Sequence, residues 1–366
     1  MNEKRLVGKY GLFSTIVVTV IGVGVFSYPS SMAEEVGTDG WIVTIAAGFI
    51  CMALLFIIYK IVNKNGFISF YDLTINTLGK LFGNVIILLL CFYFIFSISI
   101  GMRIFVEVIK MNLLLKTPTE FILLVMIFTG LYIVRTDISV LVKFNEISFI
   151  IMFVPMIILL LFSTKNGDIT NVLPILQHSP KEYLSALITS TYAFGGFQIA
   201  FLILPFMKDV KEIKKTLISS ISFITIFYVA VVILCLMFFT KEHTKELIWP
   251  TIALVRAIMI PGSFIERWEG IVMALWVFYY YTTFVNVFYF SAELIKKSFK
   301  LDEIKLTALI LSPIIYLIAL YPENIAEIND ISNKTTLFFV VLSFIILPFV
   351  LLIFKGGRKR GEKSEV

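Results

Sequence analysis

The chain has 366 residues, of which 59% are hydrophobic and 15% are charged, and its mean hydropathy is +0.95. Soluble domains have roughly 25% charged residues, and a globular core of this size could not remove so much apolar surface from water. The composition therefore excludes a soluble enzyme. It predicts an all-α membrane protein, because lipid is the solvent in which such side chains are stable.

The net charge of +6 does not indicate a nucleic acid partner, because the basic residues lie between apolar stretches, where membrane topology accounts for them. The three cysteines lie within apolar stretches and lack the spacing of zinc ligands or of a redox pair. The sequence also has no nucleotide-binding or hydrolase motif. We therefore predict no catalytic residue, no cofactor and no metal site.

About ten stretches are apolar and long enough to span a bilayer, for which roughly 20 residues are needed. We predict a single transmembrane domain over residues 1–366, with five spans at 11–164 and five more at 183–355. The predicted spans are 11–35, 41–63, 84–113, 120–135, 144–164, 183–207, 214–239, 269–296, 305–321 and 336–355.

Most of the 31 Lys and Arg residues lie in the N-terminal tail at 1–10, in every second loop and in the basic tail at 356–366. The positive-inside rule then places both termini in the cytoplasm. On the opposite side, which we call the outer end, the loops at 165–182 and 240–268 are longer than tight turns. Such loops either gate a site, contact a partner or simply connect the spans.

Glycines interrupt the first and the sixth predicted span. Glycine tolerates unwound backbone and the close approach of other groups, and irregular backbone at membrane depth must be buried in protein or line a cavity. Close packing of helices through small residues is the alternative interpretation. The residues at the two interruptions are Gly22, Gly24 and Ser27 in the first span, and Phe194, Gly195, Gly196 and Gln198 in the sixth.

The two interruptions occupy corresponding positions in two five-helix halves. Five is an odd number, so the halves have opposite orientations in the membrane. Paired broken helices in inverted repeats indicate a substrate site near the bilayer midplane. Main-chain groups freed at the breaks can hold a carboxylate at one point and an ammonium group or cation at another.

Polar side chains on spans 3 and 8 are further candidates for the predicted substrate site. Tyr279, Thr283 and Asn286 recur on one face of span 8, and Tyr93 and Ser97 share a face of span 3. Their hydroxyl and amide groups could hydrogen-bond a small polar ligand. The alternative is that they form hydrogen bonds between helices.

Charged residues also lie within the predicted spans. Arg103 and Glu107 are four residues apart in the outer half of span 3, so they share a helix face. We predict either a gate at the outer access to the site or a structural ion pair. Glu107 and Glu146 are the candidates for the titratable group that a proton-coupled carrier would need.

Three stretches of sequence carry a resemblance to a known family. They are Ile21-Gly22-Val23-Gly24-Val25-Phe26-Ser27-Tyr28-Pro29 with Gly37-Thr38-Asp39-Gly40-Trp41, then Phe194-Gly195-Gly196-Phe197-Gln198 with Leu204-Pro205-Phe206, and Ile265-Glu266-Arg267-Trp268-Glu269 before Trp276. On these stretches the chain resembles the spore germination permease family, the B subunits of GerA-type germinant receptors within the amino acid–polyamine–organocation superfamily.

The resemblance implies a LeuT-like fold that holds its ligand between spans 1, 3, 6 and 8. It implies a small germinant, usually an amino acid and sometimes a nucleoside or a sugar. It also implies a complex with an A-type membrane subunit and a C-type lipoprotein in the inner spore membrane. Family members often carry Glu at the position of Gln198, so the amide puts proton coupling at this point in question.

Three hypotheses follow from the sequence. In the leading one, the protein is a germinant-receptor subunit in which ligand binding shifts a two-state helix bundle. The second is a proton- or cation-coupled amino acid permease. The third is a structural membrane protein with a vestigial site.

Overall fold

The computed structural model describes residues 6–164, 167–257, 268–324, 326–328, 330 and 341–353, and it leaves out the side chains at 268–275, 345 and 353. The described chain is helical. Its helices are α1 (Lys9–Val20), α2 (Tyr28–Val36), α3 (Gly40–Lys64), α4 (Phe70–Leu78), α5 (Lys80–Asn112), α6 (Thr119–Val134), α7 (Ile138–Ser163), α8 (Pro180–Ala193), α9 (Ala200–Ile203), α10 (Ile213–Glu246), α11 (Pro250–Ala257), α12 (Trp268–Phe299), α13 (Ile304–Leu320) and α14 (Leu347–Ile353).

Several of these helices have the length and composition of membrane spans. In the described part of the chain, four helical segments are each long and apolar enough to cross a membrane, namely Tyr28–Lys64, α5, α7 and α10. Two apolar pairs are bent, with 44° between Pro180–Ala193 and Phe197–Phe206 and 115° between Trp276–Phe299 and Ile304–Leu320. Shorter apolar helices are α1, α6 and the segment Val341–Leu352. The prediction of an all-helical membrane protein with broken spans is confirmed.

The ten predicted spans all coincide with helical structure, the last from residue 341 onward. Two helices lie where the sequence predicted loops. The first is α4, which begins after Ser69, whose hydroxyl accepts the main-chain N–H of Asp72 (3.3 Å). The second is α11, within the loop predicted at 240–268, of which residues 258–267 lie outside the described part of the chain.

The outer loop before α8 ends in a complete helix cap. The Ser179 hydroxyl accepts the main-chain N–H of Glu182 (3.4 Å), and the Glu182 carboxylate accepts the main-chain N–H of Ser179 (2.6 Å). The hydrogen bond from the Ser179 main-chain N–H holds the pKa of the Glu182 carboxyl group below its ordinary value. The cap fixes where the sixth span begins.

Helix α1 lies at the centre of the bundle, where it packs against α7, α10 and α12. From Gly11 to Val20 every residue except Phe13 is buried. Two of its buried hydroxyls donate within the helix, that of Ser14 to the Tyr10 carbonyl (2.8 Å) and that of Thr19 to the Thr15 carbonyl (2.5 Å). A central helix with polar side chains can therefore remain buried in the bundle.

A buried polar network joins α1 to α7 and α12. The side-chain amides of Asn145 and Asn286 hydrogen-bond each other in both directions (2.8 and 3.1 Å). Asn145 also donates to the Thr15 hydroxyl (3.2 Å), and Asn286 donates to the Thr19 hydroxyl (2.8 Å). All four residues are fully buried. Because every member finds a partner, the network fixes the relative position of the three helices.

Aromatic side chains and main-chain pairing close the inner end of the bundle, the end opposite the outer one. The main-chain N–H groups of Leu6 and Val7 donate to the Phe206 carbonyl (2.9 and 3.0 Å). On the other side, Phe70 of α4 packs against Phe201, with 4.6 Å between ring centroids, and against Phe290 at 5.8 Å. The segment before α1 and helix α4 thus cover the end of the sixth span.

We expect Asn145→Ala to lower the free energy of unfolding by about 2 kcal/mol, because it leaves the amide oxygen of Asn286 and the Thr15 hydroxyl without their buried partner. Thermal unfolding of the full chain in detergent measures this change. The exposed Asn63 at the end of α3 supplies the control, Asn63→Ala, which should unfold like the unsubstituted protein. Equal stability of the two variants would show that the network does not hold the helices.

Candidate ligand site between the two broken helices

The first span is broken between α1 and α2. After Val20 the backbone leaves the helix, makes a single 3-10 turn over Val23–Phe26, and resumes as α2 at Tyr28. The N–H groups of Val23 and Gly24 open this turn, and the first N–H groups of a helical turn have no partner within it. A Cβ at residue 24 would meet nothing within 4 Å. Within the described part of the chain these two main-chain donors have no hydrogen-bond partner, and they lie beside open space.

Two threonine hydroxyls of α12 donate hydrogen bonds to carbonyl groups at the end of α1 that the break leaves without their helical partners. The Thr282 hydroxyl donates to the Val18 carbonyl (2.8 Å), and the Thr283 hydroxyl donates to the Thr19 carbonyl (3.0 Å). A Cβ at residue 22 would lie 2.8 Å from the Thr283 hydroxyl oxygen. Gly22 is therefore needed for this close approach of α12 to the break.

The second break follows α8. Gly196 has a φ of +106°, in the left-handed region, and a Cβ there would lie 3.0 Å from the Thr19 carbonyl oxygen. Its N–H donates to the side-chain oxygen of Gln198 (3.0 Å). The Tyr228 hydroxyl donates to the Ala193 carbonyl (3.1 Å). The Gln198 and Tyr228 side chains thus satisfy two of the main-chain groups at this break, and the two breaks lie against each other.

A cavity of about 410 Å³ lies between the breaks, which is within the usual size range of ligand sites. It is bounded by α5, α10 and α12 as well as by the two broken spans. The predicted site residues that line it are Gly22, Gly24, Ser27, Tyr93, Ser97, Gly195, Gly196, Gln198 and Thr283.

Three predicted site residues lie outside the lining. Phe194 is fully buried and packs on Tyr228, with 5.4 Å between ring centroids. The Tyr279 hydroxyl donates to the Met152 carbonyl of α7 (3.0 Å), and Asn286 belongs to the buried network. Both α12 side chains therefore face α7 rather than the cavity.

The face of α12 that borders the cavity is offset by one residue from the predicted face, with Tyr280, Thr283 and Val287 in the lining. The i, i+3, i+7 spacing of these residues also marks one helix face. The sequence could not show that this face borders the cavity, because Tyr279 and Asn286 form an equally regular polar face with Thr283. The lining residues that the sequence reasoning missed include Thr19, Tyr28, Phe94, Phe96, Tyr192, Tyr228 and Tyr280.

Arg103 and Glu107 form an ion pair of 3.2 Å beside the site, not in its lining. Arg103 is 7% exposed and also donates to the main-chain carbonyl of Glu323, beyond the end of α13 (2.9 Å). The pair therefore links α5 to the chain after α13. Glu146 is partly exposed near the start of α7, and its main-chain carbonyl accepts the Tyr10 hydroxyl (3.0 Å).

The cavity is aromatic and uncharged. Among the residues that the structure describes, its lining includes tyrosines, phenylalanines, hydroxyl side chains and one amide, but no Asp, Glu, Lys or Arg. A full charge on the ligand would have to be met by main-chain groups at the breaks, because few other groups there can stabilise it. This arrangement suits a small zwitterion or a neutral polar molecule.

A family model described as spore germination protein matches residues 7–328. The chain belongs to the spore germination protein family. It is 28% identical to spore germination protein A2 of Bacillus subtilis (strain 168) over 361 residues, which cover 96% of this chain and 98% of that protein. Spore germination protein B2 of the same organism is 27% identical over 323 residues, or 87% and 86% of the two chains. The predicted resemblance to B subunits of germinant receptors is confirmed, and this family is not one of enzymes.

Solved structures show the same fold. A substrate-bound, outward-open Na⁺-coupled sialic acid symporter superposes with a TM-score of 0.71 at 13% sequence identity, covering 96% of this chain and 79% of that one. At this identity the likeness concerns the fold alone. It confirms the LeuT-like fold that the family resemblance implied, and the broken first and sixth spans that the glycines predicted are present in this structure.

The two breaks should differ in their tolerance of a side chain. We expect Gly196→Ala to lower the free energy of unfolding by about 1–2 kcal/mol, because a left-handed backbone strains any residue that has a Cβ, and the added carbon would crowd the Thr19 carbonyl. Gly24→Ala, which adds the same carbon in open space, is the matched control and should unfold normally. Thermal unfolding in detergent compares them, and equal stability would contradict the geometry of the second break.

Proposed function

We propose that this chain is the membrane subunit of a spore germinant receptor and that it binds a small germinant, an amino acid, in the cavity between the two breaks. The observation that carries the proposal is this cavity, in a spore germination protein, with main-chain donors beside it and an uncharged aromatic lining. An amino acid carries a carboxylate and an ammonium group, and the main-chain groups near Gly22–Gly24 and Gly195–Gly196 suit both.

Polar side chains in the cavity lining contact the side chain of the ligand and determine which amino acid binds. Tyr93 and Ser97 of α5, Thr283 of α12 and Gln198 after the second break supply hydroxyl and amide groups. A charged side chain would find no counter-charge in the described lining. The bundle has two states that bind the ligand with different affinity, so ligand binding shifts the population toward one state, and the partner subunits respond to this shift.

The protein works in this proposal with an A-type membrane subunit and a C-type lipoprotein. Similarity to spore germination proteins A2 and B2 supports a complex of receptor subunits. The distribution of Lys and Arg supports an orientation with both termini in the cytoplasm. The location would be the inner membrane of the spore.

Deletion of the gene in its native host tests the proposal. Spores of the deletion strain should lose the release of dipicolinic acid that one amino acid triggers, and complementation should restore it. The panel also includes nucleosides and sugars, to separate the class of ligand from the receptor role. A normal response to every compound, in a host without a second receptor for the same ligand, would overturn the receptor role.

A side chain in the cavity should block the response without unfolding the protein. Gly24→Leu places its branched side chain in the space beside the first break, so we expect at least a tenfold rise in the amino acid concentration for half-maximal release. Gly8 also has nothing within 4 Å of an added Cβ, but it lies outside the cavity. Gly8→Leu is therefore the control, and a Gly24→Leu variant that responds normally would refute this ligand placement.

The alternative function is a proton- or cation-coupled amino acid permease. The observation that favours it is the shared fold with a Na⁺-coupled symporter. Uptake of a labelled amino acid into vesicles containing the full chain decides between the two functions. Accumulation above the outside concentration, driven by an ion gradient, would support the permease.

Arg103→Ala tests the proposed gate at the outer access. The substitution leaves Glu107 unpaired and releases the chain after α13, so we expect reduced stability and an altered germinant response. The double variant Arg103→Ala/Glu107→Ala removes both charges and should recover stability. If it also recovers a normal response, the pair is structural and the gating role fails.

A further inference from the structure

Asp39 is a buried carboxylate that joins distant parts of the chain at the outer end of the bundle. It follows α2 and is 0% exposed. Its carboxylate accepts hydrogen bonds from the main-chain N–H of Leu176 (2.8 Å) and of Gln177 (3.4 Å), and from the Tyr183 hydroxyl of α8 (2.6 Å). A single side chain thus connects the end of α2 to the start of α8 and to the loop before it.

The residues beside Asp39 hold the same loop. The Thr38 hydroxyl donates to the Pro174 carbonyl. Gly37 has a φ of +51°, and a Cβ there would lie 3.3 Å from a ring nitrogen of His178, so glycine allows the turn and the loop to approach closely. We call residues 173–177 the outer segment. Leu173 and Leu176 of this segment are 59% and 68% exposed.

A second tie joins α2 to α8 at the cavity. Tyr28, the first residue of α2, lines the cavity, and its hydroxyl hydrogen-bonds the hydroxyls of Ser190 in α8 (2.5 Å) and Thr44 in α3 (2.7 Å). Tyr183 and Ser190 lie seven residues apart on one face of α8. Ala186 lies between them and is fully buried, so its small side chain permits close packing of the helices.

We propose that Asp39 is a positioning residue that makes α2 and α8 shift as one unit when the cavity is occupied and that carries this shift to the outer segment. The inference rests on the proposed function, because it needs a ligand in the cavity. If α2 moved alone, it would break three hydrogen bonds and leave a carboxylate buried without partners, which is strongly unfavourable. The two outer half-helices therefore keep their contact, and coupling between cavity and outer segment acts in both directions.

Hydrogen exchange tests the coupling without any ligand. Asp39→Asn in the full chain, reconstituted in lipid nanodiscs, should raise the exchange rate of the Leu176 and Gln177 amides by about tenfold, through easier local opening. The reciprocal coupling predicts faster exchange also beside the cavity, at 23–26 and 194–196. The control is Asp168→Asn, which removes an exposed carboxylate of the same loop whose hydrogen bonds, among the described residues, are with Thr170 (2.7 and 2.9 Å). Faster exchange confined to the outer segment, or no change, would overturn the proposal.

The Asp39→Asn variant should still bind the ligand but should respond to it only at higher concentration. An equimolar mixture of the protein L-amino acids is the probe, with thermal stabilisation of the purified chain as the binding measurement and release of dipicolinic acid from spores as the response. We expect Asp39→Asn to keep the stabilisation and to raise the concentration for half-maximal release by about tenfold, a usual size for coupling between sites. Asp168→Asn should change neither.

Each other outcome has a definite meaning. A wild-type response of Asp39→Asn spores would overturn the proposal, and so would loss of stabilisation and response together in a variant present at normal amount, because that pattern marks a purely structural role. If unsubstituted protein is not stabilised by the mixture and its spores do not respond, the proposed function fails. The exchange measurement then still decides whether Asp39 couples the cavity to the outer segment.

Discussion

The need to satisfy main-chain polar groups at membrane depth determines how the rest of this bundle is arranged. An unbroken helix satisfies its own N–H and C=O groups, but each break frees several of them in a region without bulk water. Here the Thr282 and Thr283 hydroxyls cap the end of α1, and the Gln198 and Tyr228 side chains cap the second break. These contacts require α10 and α12 to approach the breaks, so the positions of the surrounding helices follow from the breaks themselves.

The polar groups below the cavity and those above it have different consequences. Below the cavity, the Asn145–Asn286 network is complete and buried, so it favours one arrangement of α1, α7 and α12. Above it, Tyr28 and Asp39 tie α2 to α8 without joining them to α1. The inner network thus holds α1 to α7 and α12, whereas the outer hydrogen bonds hold α2 to α8, and the two breaks lie between these sets of contacts. A ligand bound between the breaks, as proposed, would contact elements of both sets.

The sequence was sufficient for the features that depend on lipid and on glycine. Apolar length predicted the spans, and the glycines at 22, 24, 195 and 196 predicted both breaks. It was insufficient for the face of α12, because Tyr279 and Tyr280 differ only in which neighbouring helix accepts their hydroxyls, Met152 of α7 or Ile98 of α5. Helices α4 and α11 were missed because they have only 9 and 8 residues, too few to be recognised as membrane spans. The division into two repeats at 11–164 and 183–355 stays a prediction.

A fold shared with a symporter is compatible with a sensor, because both need a site whose affinity depends on the arrangement of two parts of one bundle. To convert a bundle almost entirely from one state to the other, a ligand must bind the favoured state about 10⁴-fold more tightly, or by roughly 5.5 kcal/mol. A few main-chain hydrogen bonds to charged groups supply energies of this order when they form in one state only. The donors beside Gly24 belong to the break itself, so their geometry changes whenever α2 moves relative to α1. If the germinant binds these donors as proposed, its affinity depends on the position of α2 and, through the hydrogen bond between Tyr28 and Ser190, on that of α8.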